Sequence, residues 1–149
     1  PTLLHPKSRG TVSLSSSDPK DAPIIQPNFL EEKEDLDQLV KGGELVYKLM
    51  KDEALRKHTL RDRLPFDRNS QDSLIKHIKK TLETVYHPVG TCKMGVDSMA
   101  VVDPMLKVHG ISNLRVVDAS IMPLIVSGNT NAPVYMIAEK ASDMILNNF

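Results

Sequence analysis

The sequence predicts a chain of mixed helix and strand, with short extended segments before residue 30 and amphipathic helices after it. Polar and apolar residues alternate over residues 11–15, apolar residues recur about every 3.6 positions over residues 34–51, and a second such recurrence follows Ser70. These three patterns predict the mixed class of helix and strand. With 149 residues the chain is long enough to bury a hydrophobic core.

Two extended segments come first. Residues 11–15 have the alternation of a strand, and residues 18–23 are rich in turn-forming types. Ile24 and Ile25 then predict a second, short extended segment. The first thirty residues therefore predict a strand, a loop and a second strand.

The first helix is predicted over residues 34–51. The acidic run at residues 31–37 suits the positive end of a helix dipole. Gly42 and Gly43 lie inside this helix and weaken it by about 1 kcal/mol each relative to alanine. Its apolar positions share one face, and they are Leu36, Leu39, Val40, Tyr47 and Met50.

Two more helices and one strand complete the predicted elements. A second helix opens at Ser70 as N-cap, and residues 133–146 predict the last helix. Residues 114–117 predict a buried strand that ends at Asp118. The apolar faces of the two helices consist of Leu74, Ile75, Ile78 and Leu82 in the first, and of Ile137, Ala141, Met144 and Ile145 in the second.

Composition excludes several classes of function. Nineteen basic and nineteen acidic residues balance, so no overall field attracts nucleic acid or anionic membrane. The single Cys92 cannot form an internal disulfide, which favours an intracellular, cytoplasmic location. No apolar run approaches the ~18 residues of a transmembrane span, and no signal-peptide pattern is visible.

Common metal, phosphate and nucleophile signatures are absent or incomplete. The five histidines lack metal-ligand spacing, and no G-x-G-x-x-G dinucleotide fingerprint occurs. Gly90 and Gly95 are not followed by the Lys and Ser/Thr of a phosphate-binding loop. Cys92 with His87 could form a nucleophile and base, but a partly buried lone thiol is the simpler interpretation, and His109 is interpreted as structural.

Two loops carry the remaining candidates. Pro88 biases His87 away from helical backbone, so His87 is either a positioned acid or base or a structural histidine. Asn129 and Asn131 come just before the last helix, where helix capping accounts for one asparagine but not obviously for two. A helix N-terminus also offers unpaired N–H groups to a negatively charged ligand.

Several blocks of the sequence resemble, in order and spacing, the C-terminal region of the glucose-methanol-choline (GMC) oxidoreductases. The first block is YHPVGTCKMG at residues 86–95, and the later ones are residues 101–104, 114–123, 127–133 and 137–140. Residues 4–12, 18–19 and 23–25 resemble the opening of that region. The resemblance covers nearly the whole chain, except about residues 51–80, and it is greatest to choline dehydrogenase-like members.

The resemblance implies an α+β fragment of a larger two-domain flavoenzyme. Residues 1–84 would belong to the antiparallel sheet and helices of the substrate-binding domain. Residues 85–149 would carry the catalytic motifs and return, as a strand–helix segment, to the FAD-binding domain. It further implies FAD in the full-length parent and oxidation of a small alcohol, with hydride passing to flavin N5.

The resemblance also assigns site residues. His87 corresponds to the base that removes the alcohol proton, and Asn129 to its catalytic partner, which donates to the developing alkoxide oxygen. The positions that correspond to FAD contacts are Asp118, Ala119, Asn131, Ala132 and Pro133. For Asp118 the capping of its own turn is an equal alternative.

The family's nucleotide-binding fingerprint belongs to an N-terminal half that these residues do not include. We therefore expect the chain alone to be catalytically inert and to require that FAD-binding half as its partner. We also expect it to self-associate through apolar surface left uncovered. The alternative is a stand-alone, non-catalytic binding or accessory module derived from the same fold.

Overall fold

The computed structural model describes residues 1–61 and 63–147, and Asp62, Asn148 and Phe149 lie outside the described residues. The chain divides into two compact units, Pro1–Thr84 and Val85–Phe149. The assignment of residues 1–84 to a substrate-binding domain and of residues 85–149 to an FAD-binding domain remains a prediction.

The first unit begins with a two-stranded antiparallel sheet. Strand β1 (Thr11–Ser13) pairs with β2 (Ile24–Gln26), with Thr11 opposite Gln26. Gly10 allows this approach, because a Cβ there would lie 2.4 Å from the Gln26 carbonyl oxygen. Both predicted strands are confirmed. Strand β1 is two residues shorter than the predicted segment, residues 11–15.

Helix α1 (Lys33–Met50) confirms the first predicted helix and packs against the later helix of this unit, α3 (Gln71–Thr81). Leu39 and Val40 supply its buried apolar face. Gly43, which lowers the helix propensity, faces Leu74: a Cβ there would lie 3.3 Å from Leu74 Cδ1. The glycine thus lets the two helices approach closely.

Asp35 ties the N-terminal segment to the first turn of α1. Its carboxylate accepts hydrogen bonds from the backbone N–H groups of Lys7 and Ser8, each at 2.8 Å, and from Ser8 Oγ at 2.5 Å. Because the side chain is only 1% exposed, these donors replace its hydration.

Between α1 and α3 lies an element that the sequence patterns did not predict, the one-turn helix α2 (Glu53–Arg56), capped by Asp52. The predicted cap of α3 is confirmed, since Ser70 Oγ accepts the N–H of Ser73 at 3.2 Å. Among the described residues no helix combines the length and apolar character that crossing a bilayer requires.

The second unit folds around one hydrophobic core against helix α4 (Asn131–Leu146). Val102, at the centre of this core, is completely inaccessible. Ile137 and Ala141 of α4 are buried as predicted, whereas Ile145 is exposed. The buried core residues are Val102, Leu106, Ile121, Met122, Ile137 and Ala141.

The predicted strand at residues 114–117 is wrong. The described part of this unit contains isolated β-bridges instead, and the one that involves the segment pairs Arg115 with Lys107. Leu114 is 46% exposed, and the segment leads into a 3₁₀ helix, Ala119–Ile121. The pairing of Lys107 with Arg115 does not extend into a longer β-ladder. The segment that contains Lys107 ends in a turn at residues 109–110, and the segment that contains Arg115 leads into the 3₁₀ helix.

The described elements nevertheless form an α+β arrangement with an antiparallel sheet, as the sequence predicts.

Candidate active site

His87 lies in an irregular loop with its side chain half-buried. Tyr86, directly before it, has left-handed backbone with φ of 62°, and Pro88 follows. Val89 then packs against the core of the second unit. A residue restrained on both sides and anchored two positions later presents its side chain in a defined direction.

Hydrogen bonds to the 3₁₀ helix hold the segment that follows His87. Cys92 N–H donates to the Ser120 carbonyl at 3.0 Å, and Met94 N–H donates to the Ile121 carbonyl at 2.8 Å. Gly90 has φ of 89°, a conformation that favours glycine. The loop is therefore fixed to the element that begins after Asp118.

Asp118 caps that element. Its Oδ1 accepts the N–H of Ser120 at 2.7 Å, and its side chain stays exposed. Ala119, the first residue of the 3₁₀ helix, is half-buried and packs against the core. The capping interpretation of Asp118 is confirmed, and contact of Asp118 and Ala119 with FAD remains a prediction.

Asn129 sits at the start of α4, directly after Gly128, which has φ of 121°. The N-cap residue is Thr130, which is 8% exposed and makes no side-chain capping bond. Asn129 and Asn131 are exposed, and within residues 1–61 and 63–147 neither side-chain amide makes a hydrogen bond. Capping, the structural explanation for one of these asparagines, therefore does not apply.

The N-terminus of α4 differs electrostatically from those of the other long helices. The first turn of α1 carries Glu34 and Asp35, and α3 has Asp72 and the Ser70 cap. The first turn of α4 contains no acidic residue and no side-chain cap. Its positive dipole end is left uncompensated by side chains within the described residues, which suits a ligand with negative charge.

The remaining positions assigned to FAD, Ala132 and Pro133, belong to this same turn. Ala132 is exposed and Pro133 is half-buried. Proline lacks an N–H, so the unpaired donors of the turn are those of Thr130, Asn131 and Ala132. This set of donors fits an electron-rich, carbonyl-bearing ring edge such as that of a reduced flavin.

All seven predicted site residues lie in the second unit, and of these Ala119 packs against its hydrophobic core. His87 and Asn129 do not hydrogen-bond to each other among the described residues. Sequence patterns did not single out Gly128 and the buried Thr130, which flank Asn129. A glycine directly before an asparagine at the start of a helix is the sequence signal for this positive-φ backbone.

The other histidine and cysteine candidates have structural surroundings. His109 Nε2 lies 3.0 Å from the Gly95 carbonyl oxygen, in agreement with its structural interpretation. Cys92 is a partly buried free thiol. Within the described part of the chain no group of three or more His, Cys, Asp or Glu side chains could hold a metal ion.

Comparison with known proteins gives one family. The family model described as GMC oxidoreductase, for the C-terminal region, matches residues 6–138. An alcohol dehydrogenase (acceptor) from Pseudomonas putida is 46% identical over 144 residues, which are 96% of this chain and 26% of that protein. An oxygen-dependent choline dehydrogenase from Pseudomonas savastanoi pv. phaseolicola is 45% identical over 95% of this chain and 25% of its own length.

Comparison with solved structures also finds a flavin enzyme. A variant of formate oxidase from Aspergillus oryzae, determined to follow FAD modification, matches with a TM-score of 0.90 and 34% identity over 98% of this chain and 26% of that chain. This likeness supports the predicted cofactor, FAD, in a full-length parent. The chain spans about a quarter of the length of the relatives that it matches.

Proposed function

Because this chain belongs to the GMC oxidoreductase family, we propose that it is the C-terminal part of an FAD-dependent alcohol oxidoreductase of choline dehydrogenase-like type. One observation carries the proposal. His87 and Asn129 each follow directly a residue with left-handed backbone, and neither side chain has a hydrogen-bond partner among the described residues. Two positioned polar side chains without structural partners are available to a substrate.

His87 acts as the general base. Its imidazole accepts the proton of the substrate hydroxyl as the C–H bond of the alcohol carbon breaks. Half-burial limits access of water to the ring, and backbone hydrogen bonds hold the loop that carries it. Positioned proton transfer of this kind contributes about 10² to 10⁴ in rate.

Asn129 stabilises the charge that develops on the same oxygen. Its side-chain amide donates a hydrogen bond to the forming alkoxide and carries no proton that titrates near neutral pH. FAD, when bound, supplies the hydride acceptor. Asn131 and Ala132, with Pro133 ending the row of donors, direct backbone N–H groups of the α4 N-terminus towards the cofactor.

Substitution of His87 in the full-length parent tests the proposal. We expect His87→Ala to slow alcohol oxidation by about 10² or more while bound flavin stays visible by absorbance. His58→Ala is the matched control, because His58 is exposed and lies in the first unit. Turnover that matches the unsubstituted enzyme would remove His87 from this role.

Substitution of Asn129 is expected to have a smaller effect than substitution of His87. Asn129→Ala is expected to lower the rate of flavin reduction by about 10², in line with loss of one oxyanion donor, and to cost less than His87→Ala. Asn147→Ala, at the other end of α4, serves as the control. Stopped-flow reduction of the flavin by the alcohol measures this step, and an unchanged reduction rate would contradict the assignment.

A further inference from the structure

Thr130, the N-cap residue of α4, is buried, yet its hydroxyl makes no hydrogen bond. Only 8% of the residue is exposed. Within residues 1–61 and 63–147 the hydroxyl neither caps the helix nor bonds elsewhere. Among the described residues no fully enclosed side-chain oxygen lacks a hydrogen-bond partner, so Thr130 Oγ1 must reach the surface. The hydroxyl is therefore directed out of the protein, although most of the residue is enclosed.

The backbone of Thr130 explains why its side chain does not cap α4. The side chains of Asp52, Ser70 and Asp118 each accept an N–H of the helix that they precede, and their ψ angles are 143°, 119° and −173°. An N-cap side chain reaches those N–H groups from extended backbone. Thr130 has helical backbone instead, with φ of −82° and ψ of −8°. Its hydroxyl therefore cannot bond to the first turn of its own helix.

The second local partner of a helical hydroxyl is also missing at Thr130. Within a helix, a serine or threonine hydroxyl can donate to the carbonyl four residues earlier, as Ser142 Oγ does to Ala138 at 2.9 Å. Gly128, two residues before Thr130, has φ of 121°, so no helical turn precedes Thr130. The Thr130 hydroxyl is thus free to bind a ligand at the start of α4.

The groups around this hydroxyl favour an acceptor that carries negative charge. The first hydrogen bond of α4 runs from the Val134 N–H to the Thr130 carbonyl at 3.1 Å. The N–H groups of Asn131 and Ala132 come before it and have no acceptor within the helix. The first turn contains no acidic residue, and the positive end of the helix dipole lies there. A hydroxyl can donate as well as accept, so it can join these donors.

We propose that the Thr130 hydroxyl is a further cofactor-binding group, which donates a hydrogen bond to the flavin edge and binds the reduced flavin more strongly than the oxidised flavin. This inference rests on the proposed function, because it takes the start of α4 as the flavin side of the site. A flavin that has accepted a hydride carries negative charge. Hydrogen bonds to a charged acceptor are roughly twice as strong as those to a neutral one. The hydroxyl is therefore expected to raise the midpoint potential of the flavin.

Thr130→Val in the flavin-bound, full-length parent tests the inference, because valine keeps the branched shape and lacks the hydroxyl. We expect reduced flavin to bind about tenfold more weakly relative to oxidised flavin. For a two-electron couple this change lowers the midpoint potential by about 30 mV. Thr130→Ser retains the hydroxyl and is expected to keep the potential of the unsubstituted enzyme. Equilibration with a redox dye measures the potential without any alcohol present.

Ser142→Ala is the matched control. It removes an exposed hydroxyl from the same helix, about 18 Å from Thr130 at 1.5 Å per residue, and should leave the potential unchanged. Thr130→Ala provides a second variant without the hydroxyl and is expected to lower the potential as Thr130→Val does. Matching thermal unfolding midpoints of the flavin-bound forms establish that the compared variants are folded.

Two results would overturn the inference alone. The first is a flavin potential that neither Thr130→Val nor Thr130→Ala changes; if alcohol then reduces the flavin more slowly, the hydroxyl acts on the substrate. The second is an equal decrease in Thr130→Ser, which would assign the effect to the methyl group. Normal turnover in His87→Ala would contradict the proposed function without altering the measured potential. A full-length parent that binds no flavin would overturn both.

Discussion

Asp35 shows how hydrogen bonds from backbone and hydroxyl donors can stabilise a buried charge, with a smaller contribution from the positive charge of Arg9. Burial raises the pKa of this carboxyl, but the hydrogen bonds from the Lys7 N–H and from Ser8 outweigh it, so the pKa lies below its ordinary value. The folded-state pKa is thus below the unfolded value of about 3.9. The stabilisation is fully present above that pH and is lost as the pH falls through the folded-state pKa.

Asp35→Asn is therefore expected to lower the free energy of unfolding by about 2 kcal/mol at pH 7. The amide places an NH₂ group, a donor, where a carboxylate oxygen now accepts hydrogen bonds from Lys7 or Ser8. The difference from the unsubstituted protein should begin to shrink below about pH 4, where the carboxyl of the unfolded chain takes up its proton, and it is lost at the lower pH at which the folded-state carboxyl is protonated as well. Urea denaturation at pH 7 and pH 3 measures both effects. Asp37→Asn removes an exposed salt bridge to Lys33 from the same helix and should cost at most about 1 kcal/mol. An equal loss in both variants would contradict this account.

The sequence predicts some site residues better than others. The local alternative for Asp118, a cap of its own turn, depends only on its neighbours and is confirmed by the Ser120 N–H contact. The absence of a cap at Asn129 and Asn131 could not be predicted, because the N-cap position falls on the buried Thr130, between the two asparagines. Those properties depend on how α4 packs against residues distant in sequence.

Ser70 determines where α3 begins. Ser70→Ala leaves the Ser73 N–H without its side-chain partner and is expected to lower the free energy of unfolding by about 1 kcal/mol. Ser70→Asp retains a capping oxygen and should stay within a few tenths of the unsubstituted protein. Chemical denaturation followed by circular dichroism compares them, and a Ser70→Asp variant as unstable as Ser70→Ala would refute the capping role.

Gly10 determines how closely β1 approaches β2. In Gly10→Ala the new Cβ would lie 2.4 Å from the Gln26 oxygen and 2.9 Å from two backbone atoms of Pro27. Backbone atoms cannot rotate away, so we expect a loss of about 1–3 kcal/mol. Gly110→Ala meets no atom within 4 Å, although its φ of 76° adds strain. Hydrogen exchange of the β1 and β2 amides should accelerate in Gly10→Ala and not in Gly110→Ala.

The elements that the sequence predicts correctly are those with a long apolar repeat or a clear helix-capping residue. Helices α1, α3 and α4 each carry a repeated apolar face, and Ser70 marks one start. The apolar run at residues 114–117 is too short to separate a strand from irregular buried chain. The helix α2 has only one turn and no buried residue, so periodicity could not indicate it.

At the scale of the whole molecule, apolar surface is exposed in both units. In α4 the side chains of Tyr135, Met136 and Leu146 are 67%, 63% and 79% exposed. Such surface favours association. We expect sedimentation of the 149-residue chain to show species larger than 16.6 kDa as concentration rises. A single 16.6 kDa species over the whole concentration range would contradict the expected self-association.

Flavin retention separates a catalytic part from an accessory module. We expect the purified 149-residue chain to be colourless, because in the proposed arrangement the donors of α4 would contact only one edge of the cofactor, and the full-length parent to be yellow. Absorbance near the flavin band after gel filtration with added FAD measures this. Stoichiometric flavin on the isolated chain would contradict the expectation, and a full-length parent that never retains flavin would favour the accessory module.

The left-handed backbone at Tyr86 has a consequence for engineering this chain. A tyrosine at φ of 62° carries a conformational penalty of about 1 kcal/mol that glycine would not. A search for heat-resistant variants would therefore tend to select Tyr86→Gly, and that substitution would loosen the backbone directly before His87. If His87 is the general base that we propose, selection for thermal stability alone would lower turnover, so screens at this position need an activity measurement alongside the melting temperature.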